Sequence, residues 1–199
     1  MIHVYQPGTI PTTMILLHGT GGDEHDLIPL AQSILPGAAI LSLRGNINEQ
    51  GMLRFFKRHS PGVLDEVSVV EETHNVMNFL KECESTYNLS LKQSIALGYS
   101  NGANLIASLL IHYGDVFQGV LLHHPMMPLR SPKAVAQASN IWIGAGSNDP
   151  IVPNAQTTLL ASVFESAGAK VQLDWFSSGH QLTQAELQMA TSVVTRWTR

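Results

Sequence analysis

The segment Gly98-Tyr99-Ser100-Asn101-Gly102 sets a serine between two glycines in the G-x-S-x-G pattern. Five letters alone are a weak signal, because small-residue turns are common, but the setting adds to them. The apolar run Ser94 to Leu97 precedes the motif, and a helical pattern from Gly102 to Tyr113 follows it. A strand, a sharp turn and a helix would hold the Ser100 hydroxyl exposed on a strained backbone, while the glycines let neighbouring backbones pass closely. The competing reading is a structural glycine-rich turn. Serine is a poor nucleophile until a base takes its proton, so the chemistry requires a histidine, with an acid to orient it.

Nine histidines compete for that role. His180, in Ser177-Ser178-Gly179-His180, follows the last strand pattern and precedes a capped helix, which predicts a loop at the serine's sheet edge. For the acid, Asp149 stands after the run Ile141 to Ala145 in Gly146-Ser147-Asn148-Asp149-Pro150, whereas its competitor Asp174 lies inside a strand pattern. The bland reading of Asp149 is a turn former. An oxyanion would take two backbone N–H donors: one from Thr20 in Leu17-His18-Gly19-Thr20-Gly21-Gly22-Asp23, the other from Asn101 after the nucleophile. Asp23 is expected to cap the next helix, and His18 to brace the loop or border the substrate.

Other clusters are candidates for a substrate pocket. His123-His124-Pro125-Met126-Met127-Pro128 follows a strand at the same edge, so His124 and Met126 are expected to line it. A metal site is not expected there: neighbours on an extended chain point to opposite sides, and no Asp, Glu or Cys stands at ligand spacing. Arg44, Arg54, Phe55 and Phe56 fall in the segment 44–62. An arginine there could hold a substrate carboxylate by paired hydrogen bonds, which would favour an anionic ester. The preferred reading is an internal ion pair with Asp65, Glu66 or Glu49. The phenylalanines are expected to anchor that segment and wall the pocket.

The positioning elements follow from alternating patterns. Strands are predicted at Met14 to His18, Ala38 to Leu43, Ser94 to Gly98, Gly119 to His123, Asn140 to Ala145 and Val171 to Phe176. Most are apolar throughout, as parallel strands covered on both faces are. Helices are marked by Leu27, Leu30, Ala31 and Ile34, by Val70, Met77, Leu80 and Cys83, by Gly102 to Tyr113 ending at Gly114, and by Ala155, Leu159, Leu160 and Val163 before Gly168. A last helix opens on the capping box Thr183-Gln184-Ala185-Glu186 and is expected to bury Leu182, Ala185, Met189, Val193 and Trp197. The sum is one α/β domain over 1–199, a mostly parallel sheet with helices on both faces. Segment 44–62 shows little periodicity, and a connection that long is more often functional than accidental.

Composition agrees with a folded chain. Of 199 residues, 44% are hydrophobic and 13% charged, far from the balance of a disordered protein. A net charge of −4 and scattered basic residues give no footprint for nucleic acid. The single Cys83 cannot close an intrachain disulfide, and no apolar run approaches a bilayer span. With no basic and apolar leader at the start, a cytoplasmic protein with no membrane partner is expected.

The blocks LLHGTGGDEHDL, LSLRGNINEQGMLRFFKR, ALGYSNGANLIASLL, LLHHPMMP, GAGSNDPIVP and SSGHQLT resemble, nearly end to end, the small carboxylesterase and phospholipase branch of the α/β hydrolases. That branch includes the acyl-protein thioesterases, and the MhqD-type bacterial hydrolases are the nearest likeness. The resemblance implies a minimal α/β-hydrolase fold without a lid domain, a triad at Ser100, Asp149 and His180, no cofactor, small soluble ester substrates and a tendency to homodimers. A thioesterase would use the same residues. A receptor that keeps the fold and turns a small molecule over slowly is the rival from another class.

Overall fold

The computed structural model describes residues 1–199 except 61, 131, 133, 134, 136–138 and 199. Its centre is a seven-stranded sheet ordered β1-β3-β2-β8-β9-β10-β11. The strands are β1 (His3–Gln6), β2 (Thr13–Leu17), β3 (Ala39–Leu43), β8 (Ser94–Tyr99), β9 (Gly119–His123), β10 (Asn140–Gly146) and β11 (Lys170–Phe176). All pairings are parallel except that of β1 with β3. The six parallel strands match the sequence patterns to within a residue or two. The antiparallel edge strand β1 was not anticipated, because His3-Val4-Tyr5-Gln6 is short, mixed in polarity and only half-buried.

Helices α1 (Ile28–Ile34), α2 (Glu66–Tyr87), α3 (Asn101–Tyr113), α4 (Asn154–Ser166) and α5 (Gln184–Trp197) cover both faces. The period-two geometry of a strand sends alternate side chains into two separate cores. Ile15, Leu17, Leu41, Ala96, Val120 and Ile143 join α2, α3 and α4 on one side. Met14, Leu16, Ile40, Leu97, Leu121 and Trp142 join α1 and α5 on the other. Every residue of β2, β3 and β9 is buried, which is why these runs read as apolar throughout. No helix of the described residues is long and apolar enough to cross a membrane.

Three expectations are corrected. Segment 44–62 contains most of two small antiparallel hairpins, β4 (Ile47–Glu49) with β5 (Met52–Arg54) and β6 (Arg58–Ser60) with β7 (Val63–Leu64). Strands of two or three residues are too short to register as alternation; Pro61 lies outside the described residues. Helix α1 begins after Leu27, so Asp23 does not cap it; its Oδ1 instead accepts the His25 amide at 2.7 Å in a local turn. In α5, Thr183 accepts the Glu186 amide at 3.2 Å, but the Glu186 side chain does not return the bond. It is wholly buried with Ala190, Val193 and Val194, while Ala185 is exposed and Leu182, Met189 and Trp197 are only partly covered. The burial stripe is therefore rotated from the expected one to admit a carboxylate.

Candidate active site

Strand order reverses between β2 and β8: from β2 the chain goes outward to β3, then crosses back through α2 to β8 on the other side. The crevice beyond the carboxyl ends of strands at such a point is where open α/β sheets bind ligands. Ser100 lies there, between β8 and α3, with φ 51° and ψ −110°. Positive φ at a non-glycine residue is strained, and this backbone is held by the Ser100 amide donating to His123 O at 2.9 Å. The flanking glycines are required by contact: a Cβ at Gly102 would stand 2.0 Å from Leu17 O, and one at Gly98 would stand 2.6 Å from the Ala103 amide nitrogen.

Ser100 Oγ and His180 Nε2 are 2.8 Å apart, and His180 Nδ1 is 2.6 Å from Asp149 Oδ2. The three residues come from the turn after β8, the loop after β10 and the loop between β11 and α5. The other Asp149 oxygen accepts the amides of Ile151 and Val152 at 2.8 and 3.0 Å. Burial resists charge on Asp149, but His180 and the two amides outweigh it and hold the carboxyl below its ordinary range. Asp149 is thus an ionised acceptor facing the imidazole. Asp174 Oδ2 is taken by Trp142 Nε1 and Gln172 Nε2, both at 2.7 Å, on the α5 side of the sheet. The Tyr99 hydroxyl donates to His180 O at 2.8 Å and fixes the loop that carries the imidazole.

A cavity of about 320 Å³ opens beside the serine and is lined by Thr20, Asn101, Met126, Arg54, Arg58 and His180 among others. The Thr20 amide has no hydrogen-bond partner among the described residues. Asn101, as the first residue of α3, has no intrahelical acceptor for its amide. Both residues line the same cavity. No separate lid domain stands over it among the described residues; the two hairpins form its roof.

The remaining expected residues divide. Met126 lines the cavity, but His18, Phe55 and His124 do not: they are 2%, 0% and 0% exposed. His18 Nδ1 donates to Gly19 O at 2.6 Å and Nε2 accepts the Gly45 amide at 3.0 Å, tying the Thr20 loop to the hairpins. Burial above all lowers its pKa, consistent with this neutral tautomer. Phe55 and Phe56 are wholly buried anchors rather than pocket wall. His124, whose backbone φ is 51°, is wholly buried, with Nδ1 3.4 Å from Asp149 Oδ2 and Nε2 3.1 Å from Glu186 Oε2.

Arg44 is not at the cavity. It makes a paired contact with Glu24, a partner not among those considered, and that contact, opposed by burial, keeps Glu24 ionised. Arg54 does border the cavity, with Nε donating to Phe56 O at 3.2 Å and one guanidinium nitrogen 3.5 Å from Glu49. Arg58, missed in the sequence, meets the same Glu49 at 3.0 Å. Asn104 was also missed; its Oδ1 accepts the Met126 amide at 2.8 Å and sets one wall. Its signal was a polar residue in a largely apolar helix.

His124, Asp149 and His180 offer ligand atoms within 4.8 Å of one another. The Asp149 oxygen nearest both rings is already committed to His180 at 2.6 Å, so an ion there would have to break that bond.

The sequence description of the dienelactone hydrolase family matches residues 48–195. MhqD of Bacillus subtilis (strain 168) is 44% identical over 191 residues, covering 96% of both chains. The solved carboxylesterase of Bacillus cereus is 40% identical with a TM-score of 0.93, over 98% of this chain and 93% of that one. A carboxylesterase from Mesorhizobium loti is 30% identical with a TM-score of 0.89, over 94% and 90%.

Proposed function

Because the chain belongs to the dienelactone hydrolase family, a family of hydrolases, we propose that it is a carboxylesterase-type serine hydrolase that forms an acyl-enzyme on Ser100. The observation that carries this reading is the continuous line from Ser100 Oγ through the His180 ring to Asp149, at 2.8 and 2.6 Å.

In this reading His180 Nε2 takes the hydroxyl proton as the Ser100 oxygen attacks the ester carbonyl. Asp149 holds the ring with Nε2 toward the serine and stabilises the imidazolium. Charge developing on the carbonyl oxygen meets the Thr20 and Asn101 amides. His180 then gives the proton to the departing alcohol, and a water deprotonated by the same nitrogen releases the acid from Ser100.

The size of the cavity suits a small ester. Its charge suits an anionic one: two guanidiniums, Arg54 and Arg58, share the single Glu49 carboxylate, which its hydrogen bond from Arg58 keeps ionised. One positive charge is left over beside Ser100. YahD, 33% identical to this chain, has a structure determined with malic acid, itself a small polycarboxylate.

Turnover of short p-nitrophenyl esters by wild type and Ser100→Ala tests the proposal. Loss of the nucleophile is expected to cost on the order of a millionfold in kcat. A wild type as slow as the variant would point to a binding protein instead.

A further inference from the structure

Glu186, on the first turn of α5, is a wholly buried carboxylate that the reaction above does not use. Its Oε1 accepts from His123 Nδ1 at 2.6 Å and its Oε2 from His124 Nε2 at 3.1 Å. A neutral imidazole has one N–H to give, and each ring gives it to this carboxylate. The second nitrogen of each, His123 Nε2 and His124 Nδ1, is buried with no hydrogen-bond partner among the described residues. Burial resists charge on Glu186, but the bonds from the two rings outweigh it and hold the carboxyl at about 2, so both of its oxygens act as acceptors.

The two histidines stand where β9 ends, and the backbone there carries the nucleophile. His123 O accepts the Ser100 amide at 2.9 Å, the bond that holds the serine at a φ of 51°. His124 has the same positive φ, and its amide donates to Gly144 O at 2.7 Å. Two strained residues in contact persist only where their surroundings over-determine them. Glu186 supplies part of that from the opposite side, and the fit is close: a Cβ at Gly144 would lie 2.8 Å from its Oε1. The same residue follows shortly after His180 in the chain, and its amide donates to Thr183 Oγ1 at 3.2 Å. One side chain therefore joins the segment that bears the base to the strand end that holds the nucleophile.

We propose that Glu186 is a positioning residue of this site: by holding His123 and His124 it keeps the Ser100 turn in register with the loop that carries His180. The proposal rests on the reading of Ser100, His180 and Asp149 as a triad. Glu186 touches none of the three and acts through the place of the His123 carbonyl. A shift of that carbonyl would move the Ser100 backbone and, with it, the Asn101 amide that follows. A displacement of about 1 Å caused from a distance can cost on the order of a hundredfold in rate. The side chains of Arg54, Arg58 and Met126, which border the substrate space, come from other elements, so the loss belongs to kcat and not to KM.

Three substitutions test this, with kcat of p-nitrophenyl ester hydrolysis taken per active site as counted by a p-nitrophenyl phosphonate that labels the nucleophile. Glu186→Leu removes both acceptors, Glu186→Asp keeps the charge but withdraws it by one methylene, and Glu186→Gln keeps the reach without the charge. Glutamine can serve because a ring can pass its proton to its unpartnered nitrogen and accept from the amide. In Glu186→Leu kcat is expected to fall on the order of a hundredfold and in Glu186→Asp on the order of tenfold, KM staying nearly constant, while Glu186→Gln restores most of the rate. A merely structural carboxylate would lower the thermal midpoint and leave kcat per site in place, which would overturn the proposal. An active Glu186→Asp beside an inactive Glu186→Gln would overturn it too, since charge and not reach would then matter. Should Glu186→Leu fail to fold, the comparison of the other two decides. Retained turnover in Ser100→Ala would defeat the triad reading, whereas its loss beside unchanged Glu186 variants would defeat the positioning role alone.

Discussion

Asn101 Oδ1 accepts the backbone amide of Phe55 at 2.7 Å, inside the protein. The residue after Ser100 thus fastens the hairpin roof to the start of α3, and the hairpin in turn carries Arg54 to the cavity. Asn101→Ala leaves a buried N–H without a partner, which typically costs about 1–3 kcal/mol. A lower midpoint in chemical denaturation is expected, together with reduced kcat/KM. The backbone amide of residue 101 is retained, so activity falls without vanishing.

Asp149→Asn keeps the shape of the acid but presents an amide to His180 Nδ1. The imidazole then loses the partner that fixes its tautomer, and a drop on the order of ten-thousandfold in kcat is expected. Asp174→Asn, which touches Trp142 and Gln172 and not His180, should leave turnover nearly intact. Comparing the two by steady-state kinetics separates the competing acids.

Glu186 gives the fold a pH dependence. Its carboxyl stands at about 2 in the folded protein against an ordinary 4.5, so the folded state favours the ionised form. The corresponding stability is fully present above about pH 4.5 and is lost as the pH falls toward 2. Its size is about 3 kcal/mol. Urea denaturation of wild type at neutral pH and at successively lower pH should show the loss. In Glu186→Gln, stability is lower at neutral pH, and this part of the acid dependence is missing.

Arg58→Gln leaves Arg54 and Glu49 as a neutral pair and removes the spare positive charge. For esters bearing a carboxylate, kcat/KM is expected to fall on the order of tenfold, with little change for neutral esters of the same length. Equal losses for both would show that Arg58 shapes the roof and does not read substrate charge.

How much of this could be read in the sequence depended on how far apart the cooperating residues lie. Parallel strands buried on both faces gave strong local signals, and Gly98 and Gly102 marked the elbow, because their physical requirements act within a few positions. His180 and Asp149 could be chosen from their places at strand ends. Side-chain partners set by packing could not. Glu186 fits the local pattern of a helix cap, and nothing nearby reveals that it lies buried against His123 and His124, more than sixty positions earlier. Arg44 had several acidic candidates, and tertiary contact chose Glu24, which none of the local patterns singled out. The hairpins of segment 44–62 were hidden because strands of two or three residues carry too little periodicity to stand out.

Trapping the acyl group shows whether Ser100 carries it. A p-nitrophenyl ester is mixed with the enzyme, the reaction is quenched in acid during turnover, and the digest is mapped by mass spectrometry. One acyl group is expected on the peptide containing Ser100 and none in Ser100→Ala. An unmodified peptide during active turnover, or an acyl group on another side chain, would contradict it.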